Sequence, residues 1–211
     1  MTTELPLFPL GTVLFPQGHL PLRIFETRYT DMVRRCMREG TAFGVVLIQR
    51  GGETGAVDSI AAIGTTARIV DFSALDDGLL GIQCSGERRF QLLRAWKQDD
   101  GLNVGEVEYL PIWSAETVPA EARRLAELLR QNWAEFSEHF GTESPRFDDA
   151  AWVCARLAQV LPLPPPLQQR LLESDSAGHA LQNLASLVKT EQHDAEQQRP
   201  AQHQPTDDAV K

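Results

Sequence analysis

Apolar positions in the first forty residues follow two different periods. From Leu5 to Phe15 the chain is apolar apart from Pro6, Pro9, Gly11 and Thr12, which predicts short strands at Leu5–Phe8 and Val13–Phe15, closed by Pro16 and Gly18. The period then changes. Tyr29, Met32, Val33, Cys36 and Met37 recur at i, i+3, i+4, i+7 and i+8, one face of a helix over about 28–38. Gly40 stands where a left-handed helix cap is expected, and Arg34, Arg35 and Arg38 suit the negative end of the helix.

From Phe43 to Leu110 the pattern is that of β-structure. Phe43–Ile48 is a continuous apolar run, short enough for a buried strand, and Gln49–Gly55 reads as a glycine-rich hairpin loop. Ile60–Phe72 carries strand-forming residues around Gly64, a candidate bend or bulge. Gly78–Cys84 and Arg89–Lys97 read as two further strands, and Asp99-Asp100-Gly101 as a hairpin turn. In Leu102–Tyr109 the apolar parity switches at Gly105, which predicts a β-bulge there. Several strands with one early helix imply a small mixed barrel rather than repeated βαβ units.

Beyond Pro111 the helical period returns. Pro119 is expected as a first helical residue, leading a stripe of Leu125, Leu129, Trp133, Phe136 and Phe140. Asp148 and Asp149 precede a helix with Trp152, Val153, Leu157 and Val160 on one side. Pro162, Pro164, Pro165 and Pro166 break it; a short helix follows through Leu167, Leu171 and Leu172. Ser176 is placed to cap a last helix carrying Leu181, Leu184, Leu187 and Val188. These stripes are wide, so this half is expected to be a bundle packed on the barrel. The division is 1–113 barrel, 114–192 bundle and 193–211 disordered acidic tail, the last because it has almost nothing apolar to offset its ordering entropy.

Charge narrows the partners. The net charge of −9 is spread along the chain, with 11 basic against 14 acidic residues in 1–113, 7 against 11 in 114–192 and 2 against 4 in the tail. No segment is a basic platform, which argues against nucleic acid. Cys36, Cys84 and Cys154 are far apart with no CxxC and read as reduced, buried thiols of a cytoplasmic protein. The N-terminus has no signal-peptide pattern, and no apolar run is long enough to span a membrane.

Three sets of residues carry a resemblance. The first is Pro21-Leu22-Arg23-Ile24-Phe25-Glu26 followed by Arg28-Tyr29. The second is Ile63-Gly64-Thr65, Asp77-Gly78 and Gly86-Glu87-Arg88-Arg89-Phe90. The third is Leu161-Pro162, Gln168–Glu173 and Leu181, Leu184 and Leu187. In this register, over most of residues 5–190, the chain resembles the N-terminal substrate-recognition domain of Lon ATP-dependent proteases, here without the rest of the enzyme. The resemblance implies an α+β fold, a PUA-like β pseudobarrel followed by a C-terminal helical bundle, and a role in engaging unfolded or tagged polypeptide. Lon enzymes continue into an ATPase and a Ser-Lys protease. This sequence has no G-x-x-x-x-G-K-[ST], and its lysines are Lys97, Lys189 and Lys211. A non-enzymatic module binding polypeptides or a partner protein is expected, with no cofactor and no metal. The alternative is an RNA- or nucleotide-binding PUA-like module, which would need an arginine cluster such as Arg23, Arg28, Arg88 and Arg89.

Candidate contacts follow. Arg23, Phe25, Glu26, Arg28 and Tyr29 read either as a polar lip on a peptide groove or as the geometry of a strand–helix junction. Trp113, at the domain junction, is the further candidate among aromatics (Trp96, Trp133, Trp152, Phe136, Phe140) that otherwise read as core. Ser186-x-x-Lys189 matches a nucleophile motif, but its partner motifs are missing and Leu187 and Val188 belong to a packed stripe. His19, His139, His179, His193 and His203 have no metal-ligand spacing.

Overall fold

The computed structural model describes residues 1–53, 57–137, 140 and 144–197. Strand β1 (Thr2–Leu10) pairs antiparallel with β7 (Asn103–Tyr109) and parallel with β3 (Phe43–Gly51). β7 pairs with β6 (Leu80–Lys97), β6 with β5 (Ile63–Ala74), and β5 with β3. The path β1-β7-β6-β5-β3 therefore returns to β1 as a closed ring. β4 (Val57–Ile60) extends it from β3, and β2 (His19–Ile24) attaches to β6 from outside the ring.

The helix α1 (Thr27–Glu39) forms where the 3.6-residue period predicts it. It buries Tyr29, Met32, Val33 and Cys36 against Phe8, Phe43, Ile82 and Cys84. The Phe8 and Tyr29 rings stack at 4.0 Å. Each such side chain is worth about 1.5–3 kcal/mol of burial. Met37 remains partly exposed at the edge of the stripe. Gly40 takes the left-handed conformation (φ 64°) and its N–H bonds the Cys36 carbonyl, ending the helix as expected.

Several β expectations are corrected. Val13–Phe15 is not a strand but a buried irregular segment; the second strand is His19–Ile24. Gln49–Gly51 lie in β3 rather than in a loop, and residues 54–56 are outside the described set. The break in Ile60–Phe72 falls between β4 and β5, not at Gly64. Gly64 serves close packing instead, since a Cβ there would lie 2.5 Å from the Val45 carbonyl oxygen and 2.6 Å from Phe90 Cζ. The two strands expected over 78–97 are one strand of 18 residues. Gly86 in its middle is not a break; it lets the Phe15 carbonyl approach the sheet. The β6–β7 bulge lies on β6 at Leu93, between the pairs Leu92–Val107 and Arg94–Glu106, and Gly105 is in register. The parity of β7 switches because both its faces are covered, Val107 by Leu5 and Leu7 and Val104 elsewhere. The turn at Asp99-Asp100-Gly101 is as expected, with Gly101 at φ 82° and the Leu102 N–H bonding the Asp100 carboxylate.

In the helical half, a 3-10 turn at Ala120–Ala122 leads into α2 (Arg123–Gln131), and Asn132 separates it from the short α3 (Trp133–Phe136). The expected single stripe over 125–140 is thus broken, and Pro119 precedes the helical turn rather than opening it. The helices α4 (Ala150–Val160), α5 (Pro165–Leu172) and α6 (Ala177–Gln197) complete the chain. Asp149 caps α4 by accepting from the Ala151 and Trp152 N–H groups. Ser176 Oγ accepts from the His179 N–H at the start of α6. α6 runs to Gln197, past the expected boundary at 192; the rest of the tail lies outside the described residues. Val13, Phe15, Leu47 and Ala61 share one core with Trp152, Leu157, Leu172 and Leu181, so the helices pack on the strands as anticipated.

Candidate functional site: an open-edged lobe beside the strand ring

The first half of β6 carries a strand on each side, β2 pairing over His19–Ile24 and β5 over Arg68–Ala74. This three-stranded lobe projects beyond the ring. β5 pairs with β3 only through Ala67, so among the described residues its outer edge from Ile69 to Ala74 has no strand partner. A bulge at Val70 lies within that segment, between the pairs Ile69–Cys84 and Asp71–Gln83. Val70 and Phe72 are 56% and 57% exposed. The Phe72 N–H, facing the open edge, is taken by the carboxylate of Asp71 at 2.8 Å. At the start of the outer edge of β2 the Gln159 side chain accepts from the His19 N–H and donates to the His19 carbonyl. Pro21 lacks an N–H and suits an edge strand. A cavity of about 260 Å³ opens on the lobe, lined among others by Pro21, Arg23, Phe72, Leu75 and Ile82.

The anticipated lip residues fall into two groups. Arg23 lines this cavity and pairs with Asp77 of the β5–β6 turn. Phe25, 58% exposed, stands between β2 and α1. The others turn inward. Arg28 pairs with Glu26 at 2.7 Å, donates to the Gly101 carbonyl at 2.8 Å and lies over the Tyr29 ring. Glu26 ends the strand segment as the residue before α1, and Tyr29 is buried, its hydroxyl pushed above its ordinary pKa by burial. These contacts fix the angle at which the chain enters α1.

The structure does not bring Trp113 to this lobe. It is buried at the junction, its indole N–H bonding the Ser174 carbonyl at 3.1 Å, with the Arg89 guanidinium 4.5 Å above its ring. Arg89 itself donates to the carbonyls of Leu172 (2.8 Å), Ser174 (2.7 Å) and Pro111 (3.4 Å). It thereby ties β6 to the end of α5. Arg156 plays a parallel part from α4, donating to the Gln17 carbonyl at 2.8 Å, where Gln17 has φ 63°. Sequence reasoning missed Val70 and Phe72; their signal was apolar residues set beside Asp71 and Ser73, but an open edge is a property of pairing, not of composition.

The arginines named for nucleic acid do not form one patch. Arg23 and Arg28 are held by carboxylates, Arg89 is buried at the junction, and Arg88 lies over the Tyr109 ring at 4.4 Å. Burial raises the Cys36 thiol and pushes those of Cys84 and Cys154 up to about 12, so they are poor nucleophiles. Ser186 Oγ donates to the Gln182 carbonyl within α6, and the Lys189 side chain is outside the described set. His19 is engaged through its backbone and His179 is exposed; His139, His203 and the side chain of His193 are outside that set. Among the described residues no group of three or more His, Cys, Asp or Glu is arranged to hold a metal, and no helix is long and apolar enough to cross a membrane.

The sequence pattern of the ATP-dependent protease La (LON) substrate-binding domain matches residues 4–190. The chain belongs to this family. The Lon substrate-binding fold is also found in solved structures. A Lon N-terminal domain protein from Xanthomonas campestris is 39% identical, with a TM-score of 0.73 over 87% of this chain and 98% of that one. The N-terminal domain of a Mycobacterium avium complex Lon protease is 17% identical and shares the fold, with a TM-score of 0.66 over 89% of this chain. Lon proteases of Anaeromyxobacter dehalogenans and Treponema pallidum match at 29% over 132 residues and 24% over 205 residues. This chain spans 16% and 23% of their lengths. Cereblon from Xenopus tropicalis matches at 29% over 114 residues, 24% of its length. Within the Lon substrate-binding family, then, the matched region is the recognition domain alone.

Proposed function

We propose that the chain is a non-enzymatic binding module for extended or partly unfolded polypeptide, and that the segment is captured at the open edge of β5. The observation that carries this reading is a strand edge without a partner among the described residues, bearing two exposed apolar side chains, Val70 and Phe72, next to a cavity. Backbone groups facing outward supply sequence-independent hydrogen bonds, and the apolar side chains select for segments that a folded protein would bury. Arg23 and Phe25 form the neighbouring lip, whereas Glu26, Arg28, Tyr29 and Trp113 position the scaffold. We read the closed strand ring as the PUA-like pseudobarrel and the helical half, from residue 114, as a bundle continuous with its core. A cytoplasmic setting fits the three reduced thiols.

The test is fluorescence anisotropy of a labelled, permanently unfolded polypeptide, run beside a labelled single-stranded RNA. Saturable binding of the polypeptide, little changed by salt and weakened about tenfold or more by Phe72→Asp, is the expected result. Binding of the RNA alone, falling steeply with salt, would replace this reading with the nucleic-acid one.

A further inference from the structure

A second cleft, of about 520 Å³, lies under the last turn of α1. It reaches from β1 across to Arg68 on β5, Arg88 on β6 and Tyr109 on β7. Its volume falls in the range of small-ligand sites. It is lined by three arginines and three glutamates, and the pairings among them matter more than the count. Arg68 is held by Glu87 and also donates to the Gly40 carbonyl. Glu39 is engaged by Arg38 at 3.0 Å. That leaves Arg35 and Arg88 against Glu4.

Arg35 is the exception among the arginines of its helix segment. Arg34 pairs with Asp31 and Arg38 with Glu39, while no carboxylate lies within 4.0 Å of Arg35 among the described residues. Arg88 is held differently. Its backbone N–H bonds Thr66 Oγ1 at 3.0 Å, and its guanidinium carbon lies over the Tyr109 ring, 4.4 Å from the centre. The contact with the ring holds the cation in place, and among the described residues no carboxylate lies within 4.0 Å of it, so its N–H groups can receive a carboxylate through two parallel bonds.

We propose that this cleft is a carboxylate-binding site, with Arg88 as the planar receptor and Arg35 as the second cation, taking a carboxylate of a peptide segment. The carboxylate is either the free C-terminus or an acidic side chain. The site is separate from the open edge of β5 and does not depend on capture there.

The experiment uses three labelled hexapeptides of the same apolar sequence: one with a free C-terminus, one amidated, and one amidated but carrying an internal glutamate. Each is titrated with the full chain by anisotropy at low salt. The free acid or the glutamate peptide is expected to bind at least tenfold more tightly than the plain amide, and which of the two does so names the source of the carboxylate. Arg88→Gln and Arg35→Gln are each expected to weaken that binding about tenfold, the loss of one charge-assisted contact. Arg35 is half-buried, so urea unfolding of both variants is run alongside to separate loss of the anion from any loss of folding. Equal binding of all three peptides, binding of none, or unchanged affinity in both variants would overturn the proposal. The unfolded-polypeptide assay with Phe72→Asp reads the β5 edge, so the two ideas fail separately.

Discussion

Arg89→Met is the sharpest test of how the helical half is held to the strands. Arg89 is 7% exposed and makes two short hydrogen bonds, 2.8 Å to the Leu172 carbonyl and 2.7 Å to the Ser174 carbonyl. Bonds from a charged donor are worth about 1.5–3 kcal/mol each. Methionine fills the space but donates nothing, so the Leu172 carbonyl loses this donor, whereas Ser174 keeps the Trp113 indole. Against that loss stands a gain, because the guanidinium is taken out of water with no carboxylate in contact. Burial accordingly lowers its pKa from the ordinary arginine value, with Asp175 opposing at longer range. The balance is a loss of about 3 kcal/mol, a large share of a domain's ~5–15 kcal/mol. Urea unfolding followed by tryptophan fluorescence reads it directly, since Trp113 sits against Arg89. Arg89→Lys keeps the charge but cannot fork between carbonyls, and falls between parent and Met. A loss below about 1 kcal/mol for Arg89→Met would show that the Arg89 hydrogen bonds do not hold the two halves together.

Other expectations follow from the same geometry. Gly64→Ala places a methyl against the Val45 carbonyl, which cannot retreat without breaking the β3–β5 ladder; a cost of about 1–3 kcal/mol is expected in the same urea assay. Asp149→Ala removes the acceptor for two N–H groups at the start of α4 and lowers stability by about 1 kcal/mol, read as a shift of the unfolding midpoint. Cys84 and Cys154 stay protonated in the folded protein while an unfolded thiol ionises near its ordinary value of 9. Stability intact below that pH is therefore lost as pH rises toward about 12, at up to ~1.4 kcal/mol per pH unit per thiol. Cys84→Ala flattens the slope; an unchanged slope would show that the thiol ionises freely when folded.

What could be read from sequence is what neighbours in the chain decide. The α1 stripe, its Gly40 cap, the Ser176 cap and the Asp-Gly turn each rest on a few consecutive residues, and each is where the pattern puts it. Errors arose where a distant partner decides. Gly86 looks like a break in a strand until Phe15 is seen packed against it, and Gly105 looks like a bulge until Leu7 and Leu92 are seen beside it. The site divides in the same way. The motif led to Arg23, which shares the cavity with Phe72, but the open β5 edge beside that cavity exists only because β3 ends its pairing with β5 at Ala67. Trp113 was singled out for its place between the two halves, and its role there is cohesion.

The order in which this chain closes has its own consequence. β1 finds its antiparallel partner about a hundred residues later, Thr2 opposite Glu108, and His19 is held by Gln159 from still further along. Contacts of such long sequence separation are formed late and slowly, because loop-closure entropy must be met before they stabilise anything. During synthesis the first strand can meet β3 early, but its other edge stays bare until β7, ending at Tyr109, has emerged. β2 has its partner once β6 exists, but the clamp on His19 waits for Gln159 of α4. Until β7 arrives, the bare edge of β1 is open to pairing with other copies of the chain, so refolding yield is expected to fall as protein concentration rises.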